Sequence, residues 1–147
     1  MRNLFFIIVF LLSFGQSHAQ STYFSHYPSS YFKRHAFEGL NFFRAKMNEK
    51  GVGSELIKKD PKNSVIIWKW NQEVDYGKII TQVSYKVENN KIAVKIMSVD
   101  LVVDGVASHI LDNKNKNESF NEIYEATKNL YIDVFFESFL KLKPVKL

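Results

Sequence analysis

Residues 78–99 read KIITQVSYKVENNKIAVKIMSV, and this stretch decides the fold. In its first half, apolar or β-branched residues alternate with polar ones, which is the period-two pattern of a half-buried β-strand. The pair Asn89-Asn90 divides the stretch, and asparagine tolerates the left-handed backbone of a tight hairpin turn. The pattern therefore predicts antiparallel strands over Lys78–Glu88 and Lys91–Val99, with the polar side of the first strand facing solvent.

Two more strands are predicted upstream, over Glu55–Lys59 and Ser64–Trp70. They flank the sequence Asp60-Pro61-Lys62-Asn63, which favours a turn because proline presets φ and Asp and Asn form local hydrogen bonds. Downstream, Asp100–Ile110 can add a further strand or form a loop, with Asp104-Gly105 as a turn within it. Residues 111–117 are rich in Asn and Lys and are expected to form a polar loop.

A helix is predicted on each side of the strands. In the first, apolar residues recur at helical spacing after the start signal Pro28-Ser29-Ser30, and Gly51 is placed to end the helix. The apolar positions are Phe32, Ala36, Leu40, Phe43 and Met47. The second opens with the capping box Ser119-Phe120-Asn121-Glu122 and is limited by Pro144. The order helix, four strands, helix predicts an α+β fold: a four-stranded antiparallel meander with two helices packed on one face.

These segments resemble a family of exported bacterial domains of unknown function that is described as having a TBP-like fold. The resemblance covers most of the chain after residue 19 and runs through residues 36–47, 56–60, 65–68, 79–97 and 124–135. Members of that family tend to carry glycines in the second strand, where this chain has Trp68-Lys69-Trp70. The resemblance implies a TBP-like fold and a place in the envelope of Bacteroidota-type bacteria. It implies no activity, because the family is uncharacterised.

The N-terminal residues have the pattern of a secretory signal peptide. Arg2 is followed by an apolar run over 4–14, and Ser17 and Ala19 are the small residues expected before a cleavage point. A helix over residues 4–14 spans only about 16 Å, roughly half of the bilayer core, so we expect no transmembrane anchor after cleavage. Residues 20–147 then form a single domain, with 20–30 as an N-terminal arm. The expected location is the periplasm or the exterior, and the chain has no cysteine that could carry a lipid.

The composition excludes several kinds of chemistry. Without cysteine the chain has no disulfide, thiolate metal site or thiol nucleophile, and it contains no GxSxG or SxxK motif. His26, His35 and His109 lack the spacing of a metal site, so we predict no metal, no cofactor and no enzymatic activity. A hydrolase of envelope polymers is the least favoured interpretation.

The net charge is +5, but arginine occurs only three times, which argues against specific nucleic-acid recognition. An envelope protein or an anionic or glycan polymer remains a possible partner.

Two tryptophans supply the sharpest hypothesis about a site. Trp68 and Trp70 are two apart on a predicted strand, so they project from one face with Lys69 on the other. On an open face they would form a platform for a sugar ring or an apolar ligand; on the helix-covered face they would be core. The preceding Val65-Ile66-Ile67 run favours burial. Tyr85, on the neighbouring strand, is the third candidate ligand-binding residue.

Together these observations predict a small exported non-enzymatic binding module of the cell envelope. Its contact surface would be the polar sheet face or the edge strand. The alternative is a carrier of a small apolar ligand, with a pocket between helices and sheet. The residues expected to line that pocket are Phe43, Trp68, Tyr85 and Tyr131.

Overall fold

The computed structural model describes residues 22–26, 32–88, 91–140 and 145–146. The predicted signal peptide and part of the N-terminal arm lie outside the described residues. The strands are β1 Thr22–His26, β2 Gly53–Asp60, β3 Val65–Val74, β4 Gly77–Glu88, β5 Lys91–Val103, β6 Val106–His109 and β7 Val145–Lys146. The helices are α1 Phe32–Glu49, α2 Ile110–Asn113 and α3 Glu118–Lys128, and α3 continues as a π-helix over Asn129–Leu140.

The predicted antiparallel meander is confirmed. β2 pairs with β3, β3 with β4, and β4 with β5, all antiparallel. The turn before β3 forms as expected: the Asn63 backbone and side-chain amides donate to the two carboxylate oxygens of Asp60, at 3.1 and 2.8 Å. Each strand is longer than predicted, because backbone pairing continues beyond the apolar residues that mark a strand in the sequence.

The expectation of four strands and two helices is wrong. β1 and β6 both pair with β5, along the edge that faces away from β4, and β7 pairs with β1. The order across the sheet is β2-β3-β4-β5-β1-β7, with β6 beside the C-terminal half of β5. In a four-stranded meander, β5 would be an unpaired edge strand, and the pairing with β1 and β6 covers that edge. Among the described strands, β2 is therefore the one at the opposite edge, paired only with β3.

The segment that was ambiguous in the sequence joins the sheet. Asp104 and Gly105 have φ of +51° and +80°, so both residues adopt the left-handed region that a tight hairpin turn between β5 and β6 demands. The loop predicted over residues 111–117 is also wrong. α2 and a single 3₁₀ turn over Lys114–Lys116 replace it, because Ile110 and Leu111 are buried and anchor this segment to the core.

The C-terminal helix begins with a different cap from the one predicted. The side-chain oxygen of Asn117 accepts from the backbone N–H of Phe120, at 3.3 Å, so Asn117 is the N-cap and Ser119 lies inside the first turn.

The helix α1 approaches the π-helix closely at Gly39. A methyl group on Gly39 would lie 2.6 Å from a terminal carbon of Leu140, so glycine permits this contact.

The hydrophobic core lies on one face of the sheet. Alternate residues of β3, β4 and β5 project into it, and the helices supply the other half. The sheet contributes Trp70, Thr81, Val83, Tyr85, Val87, Ile92, Val94, Ile96 and Val99. The helices contribute Ala36, Leu40, Phe43, Met47, Tyr124, Tyr131, Ile132, Phe135, Phe136 and Leu140. The predicted packing of helices on one side of an antiparallel sheet is thus observed.

Candidate functional site

The aromatic residues singled out in the sequence lie on the helix-covered face. Trp70 is 0% exposed and Tyr85 is 1% exposed. Phe43 packs edge-on against Trp70, with ring centroids 5.5 Å apart, and the ring of Tyr131 lies 5.4 Å from that of Trp70. The four residues of the predicted pocket are therefore close together, but as neighbours in the core. Only Trp68, which is partly buried, retains contact with solvent.

Burial also sets the ionisation of the core tyrosines. Removal from water disfavours the phenolate, so the pKa of Tyr85 is raised well above its ordinary value, and the neighbouring Tyr131 adds to the shift. The pKa of Tyr131 is raised for the same reason. Both phenols are therefore neutral over the physiological range, which suits a packed interior.

Trp68 is covered by a cation from α1. The guanidinium carbon of Arg44 lies 5.0 Å from the centre of the Trp68 ring, within range of a cation–π contact. The Arg44 Nε and the Trp68 Nε1 are both buried, and neither has a hydrogen-bond partner within the described part of the chain. Each of these two N–H donors therefore lacks an acceptor among the described residues.

These residues belong to a longer surface feature that we call the α1–β2 groove. Its wall on the helix side is the row Phe37, Asn41, Arg44 and Asn48, which recurs at helical spacing. Its floor is Ile66 and Trp68, and its other wall is β2. At one end the groove widens into a cleft of about 360 Å³. Phe37 and Ile66 make this cleft apolar, and Asn41, Lys59 and Asp60 give it a polar rim.

The outer wall of the groove is an edge strand with exposed apolar side chains. Leu56 is 47% exposed and Ile57 is 44% exposed. The pairing of β2 with β3 skips one residue between Leu56 and Lys58, so Ile57 is the extra residue of a β-bulge. Bulges near a sheet edge re-aim side chains, and at this one two neighbouring apolar residues are exposed on the edge strand.

A smaller cleft of about 140 Å³ lies beside β6, away from the β2 edge of the sheet. Here His109 Nδ1 is 2.5 Å from a carboxylate oxygen of Asp100. Ser98 lines the same cleft, but its buried Oγ has no hydrogen-bond partner among the described residues. The serine–histidine hydrogen bond that activates a nucleophile is therefore not present at this position.

The described side chains form no cluster that suits a metal ion. Among the described side chains, no group of three His, Asp or Glu could hold a metal ion. His109 lies beside Asp100, whereas the side chains of His26 and His35 lie outside the described residues. None of the helices in residues 32–49 or 110–140 has the length and apolar character that a membrane crossing needs.

Two solved structures have a fold similar to that of this chain. A TBP-like protein from Parabacteroides distasonis matches with a TM-score of 0.55 at 13% sequence identity, covering 79% of this chain and 89% of that chain. The fold is TBP-like. A DUF4468 family protein from Bacteroides ovatus matches with a TM-score of 0.57 at 10% identity, covering 81% of this chain and 82% of that chain. No protein-family model matches the sequence, and no curated protein matches it significantly.

The resemblance noted in the sequence is thereby confirmed for the fold, since both neighbours are TBP-like or domain-of-unknown-function proteins from Bacteroidota. At such low identity the likeness concerns the fold alone. The α1–β2 groove was not predicted. Its signal in the sequence is the row Asn41, Arg44 and Asn48, which are polar residues at helical spacing beside the apolar stripe of α1.

Proposed function

We propose that this protein is a small, exported, non-enzymatic binding module of the bacterial cell envelope. The signal-peptide pattern over residues 1–19 supports export. The absence of catalytic motifs from the sequence supports a binding role over turnover. The partner under this proposal is an envelope protein that adds an extended segment to β2 and places side chains in the α1–β2 groove.

The observation that carries the proposal is the chemistry of β2. Within the described sheet, β2 pairs only with β3, so the backbone N–H and C=O groups of its outer side are available to another strand. Leu56 and Ile57 expose apolar surface on the same strand. Main-chain hydrogen bonds supply affinity in such strand addition, and pockets beside the strand supply specificity. The cleft next to Phe37 and Ile66 is such a pocket.

Site-specific photo-crosslinking tests this proposal in the native host. A photoreactive amino acid replaces Ile57 in one variant of the full chain and Tyr76 in the control variant. Tyr76 is 58% exposed in the turn between β3 and β4, so it matches Ile57 in access but lies away from the groove. We expect one crosslinked protein species from position 57 and none of that species from position 76. Equal capture at both positions, or no capture from an exported chain, contradicts the proposal.

A second candidate function, carriage of a small apolar ligand, is favoured by the size of the cleft. Ligand sites in proteins commonly enclose about 300–1,000 Å³, and the cleft of about 360 Å³ falls within that range. Native mass spectrometry of protein purified from the envelope would show a bound mass. Asn41→Trp, which places an indole in the cleft, should remove that mass while the far-UV circular dichroism spectrum stays unchanged. A protein that carries no bound mass contradicts this alternative.

A further inference from the structure

We propose that the strand added to β2 is the β2 of a second copy of this chain, so that two protomers join their sheets edge to edge. This inference rests on the proposed binding role of the β2 edge and names the partner. The two strands would run antiparallel about a two-fold axis that passes between Leu56 and Ile57.

The bulge makes this register consistent with the faces of both sheets. Glu55 lies on the open face opposite Lys69, and Leu56 lies on the helix side opposite Trp68. After the extra residue Ile57, Lys58 lies on the open face again.

Facing residues of two joined strands must lie on the same side of the sheet. The proposed register sets Glu55 opposite Lys58, and both are open-face residues. It also sets Ser54 opposite Lys59, and both are on the helix side. Without the bulge, every one of these pairs would fall on opposite faces.

Charge complementarity points to the same pairing. By symmetry, a joined pair of strands contains two contacts between Glu55 and Lys58, one on each side of the axis. Opposite charges directly across two strands are favourable, and like charges are unfavourable. Glu55 already pairs with Lys69 of its own chain and is more than half exposed, so its carboxylate can also accept a bond from Lys58 of the second copy. The strand sequence GSELIKKD is therefore complementary to itself when antiparallel.

Apolar burial supplies the centre of the interface. Leu56 faces Ile57 of the second copy, and the converse contact repeats across the axis. Four exposed apolar side chains thereby meet where the two sheets join. One strand and one groove per protomer make a small interface, so we expect a weak dimer that dissociates between micromolar and millimolar concentration.

Bulges and adjacent lysines commonly protect an edge strand from pairing. In β2 both features have the opposite effect for one particular partner. The bulge places facing residues of the two strands on the same side of the joined sheet. Lys58 then lies opposite Glu55 of the second copy, whereas a partner strand without an acidic residue at that position would leave Lys58 unpaired. These residues therefore favour pairing of β2 with a second copy of β2 over pairing with other strands.

Sedimentation velocity of the mature chain, from micromolar to millimolar concentration, tests this inference. We expect a monomer–dimer equilibrium that Glu55→Lys and Lys58→Glu each weaken about tenfold or more, because each replaces two attractive contacts with two repulsive ones. The double variant restores the contacts with reversed sign and should dimerise as the wild type does. A mixture of the two single variants should form a heterodimer. Lys62→Glu, with the same charge change in the turn beyond β2, is the matched control and should not alter dimerisation.

A monomer at every concentration overturns the inference, as does a dimer that the charge reversals leave unchanged. These results are distinguishable from failure of the proposed function. If the wild type is monomeric but position 57 captures a different protein, the binding role stands and the second copy is wrong. If position 57 captures nothing and the chain is monomeric, both are wrong.

Discussion

Replacing Trp70 by alanine tests whether the tryptophan pair of β3 is structural. Trp70 is 0% exposed, and its ring lies 5.5, 5.4 and 6.2 Å from the rings of Phe43, Tyr131 and Trp68. Truncation of a buried aromatic residue removes its transfer free energy and leaves a cavity, at a cost of about 3–5 kcal/mol. The edge-on pair with Phe43 contributes about 0.5–1.5 kcal/mol beyond area burial, which favours the upper part of that range.

The loss is large compared with the stability of a domain, which is about 5–15 kcal/mol. We therefore expect Trp70→Ala to lower the melting temperature by roughly 10–15 °C. Urea denaturation followed by far-UV circular dichroism measures the change in the free energy of unfolding.

Two further variants make the measurement comparative. Trp68→Ala should cost less than Trp70→Ala, because Trp68 is only partly buried. Leu56→Ala should cost less than about 1 kcal/mol, because nearly half of that side chain is exposed. A Trp70→Ala variant that loses less than about 1 kcal/mol would refute the reasoning, since no buried indole in a packed core can be removed so cheaply.

Three other predictions follow from local contacts. Asn117→Ala should lower the free energy of unfolding by about 1 kcal/mol through loss of the N-cap, whereas Ser119→Ala should leave it nearly unchanged; thermal denaturation of the two variants checks this. The pKa of Asp60 lies below its ordinary value of 3.8, chiefly because the Asn63 side chain donates a hydrogen bond to the carboxylate. Asn63→Ala should therefore raise the pKa of Asp60, which a carboxyl-carbon NMR titration measures. An unchanged pKa would contradict this cause. Because burial raises the pKa of Tyr85 well above 10.0, its contribution to stability is complete below about pH 10 and is lost at higher pH. The part of the tyrosinate absorbance that comes from the buried tyrosines should therefore appear together with unfolding in an alkaline titration. Tyr85→Phe should move the unfolding midpoint to higher pH.

Much of the fold was predictable because its signals are local. The alternation over Lys78–Glu88 and the turn at Asp60–Asn63 act within a few residues, and both predictions are confirmed. The strands β1, β6 and β7 were not predicted, because each is short and is stabilised by pairing with residues far along the chain. The cap of α3 was misplaced by two residues because Asn117 and Ser119 both have capping side chains, and only the backbone geometry selects between them.

The candidate site was less predictable than the fold. Period two places Trp68 and Trp70 on one face, and that prediction is confirmed. The α1–β2 groove depends on where α1 crosses the sheet, which brings Arg44 over Trp68 although the two lie on different elements. The sequence pattern of neither element predicts the contact between Arg44 and Trp68.

By itself, the sequence determined the antiparallel meander, the two-layer α+β arrangement and the side of β3 that carries the tryptophans. Each of these follows from hydrophobic period and turn chemistry, which act between near neighbours. Only the tertiary structure decided that the tryptophan face is covered, that β5 is flanked by β1 and β6, and that β2 remains an edge with exposed Leu56 and Ile57. The physical reason is that burial and strand pairing are set by contacts between distant segments, which the order of residues within a segment does not specify.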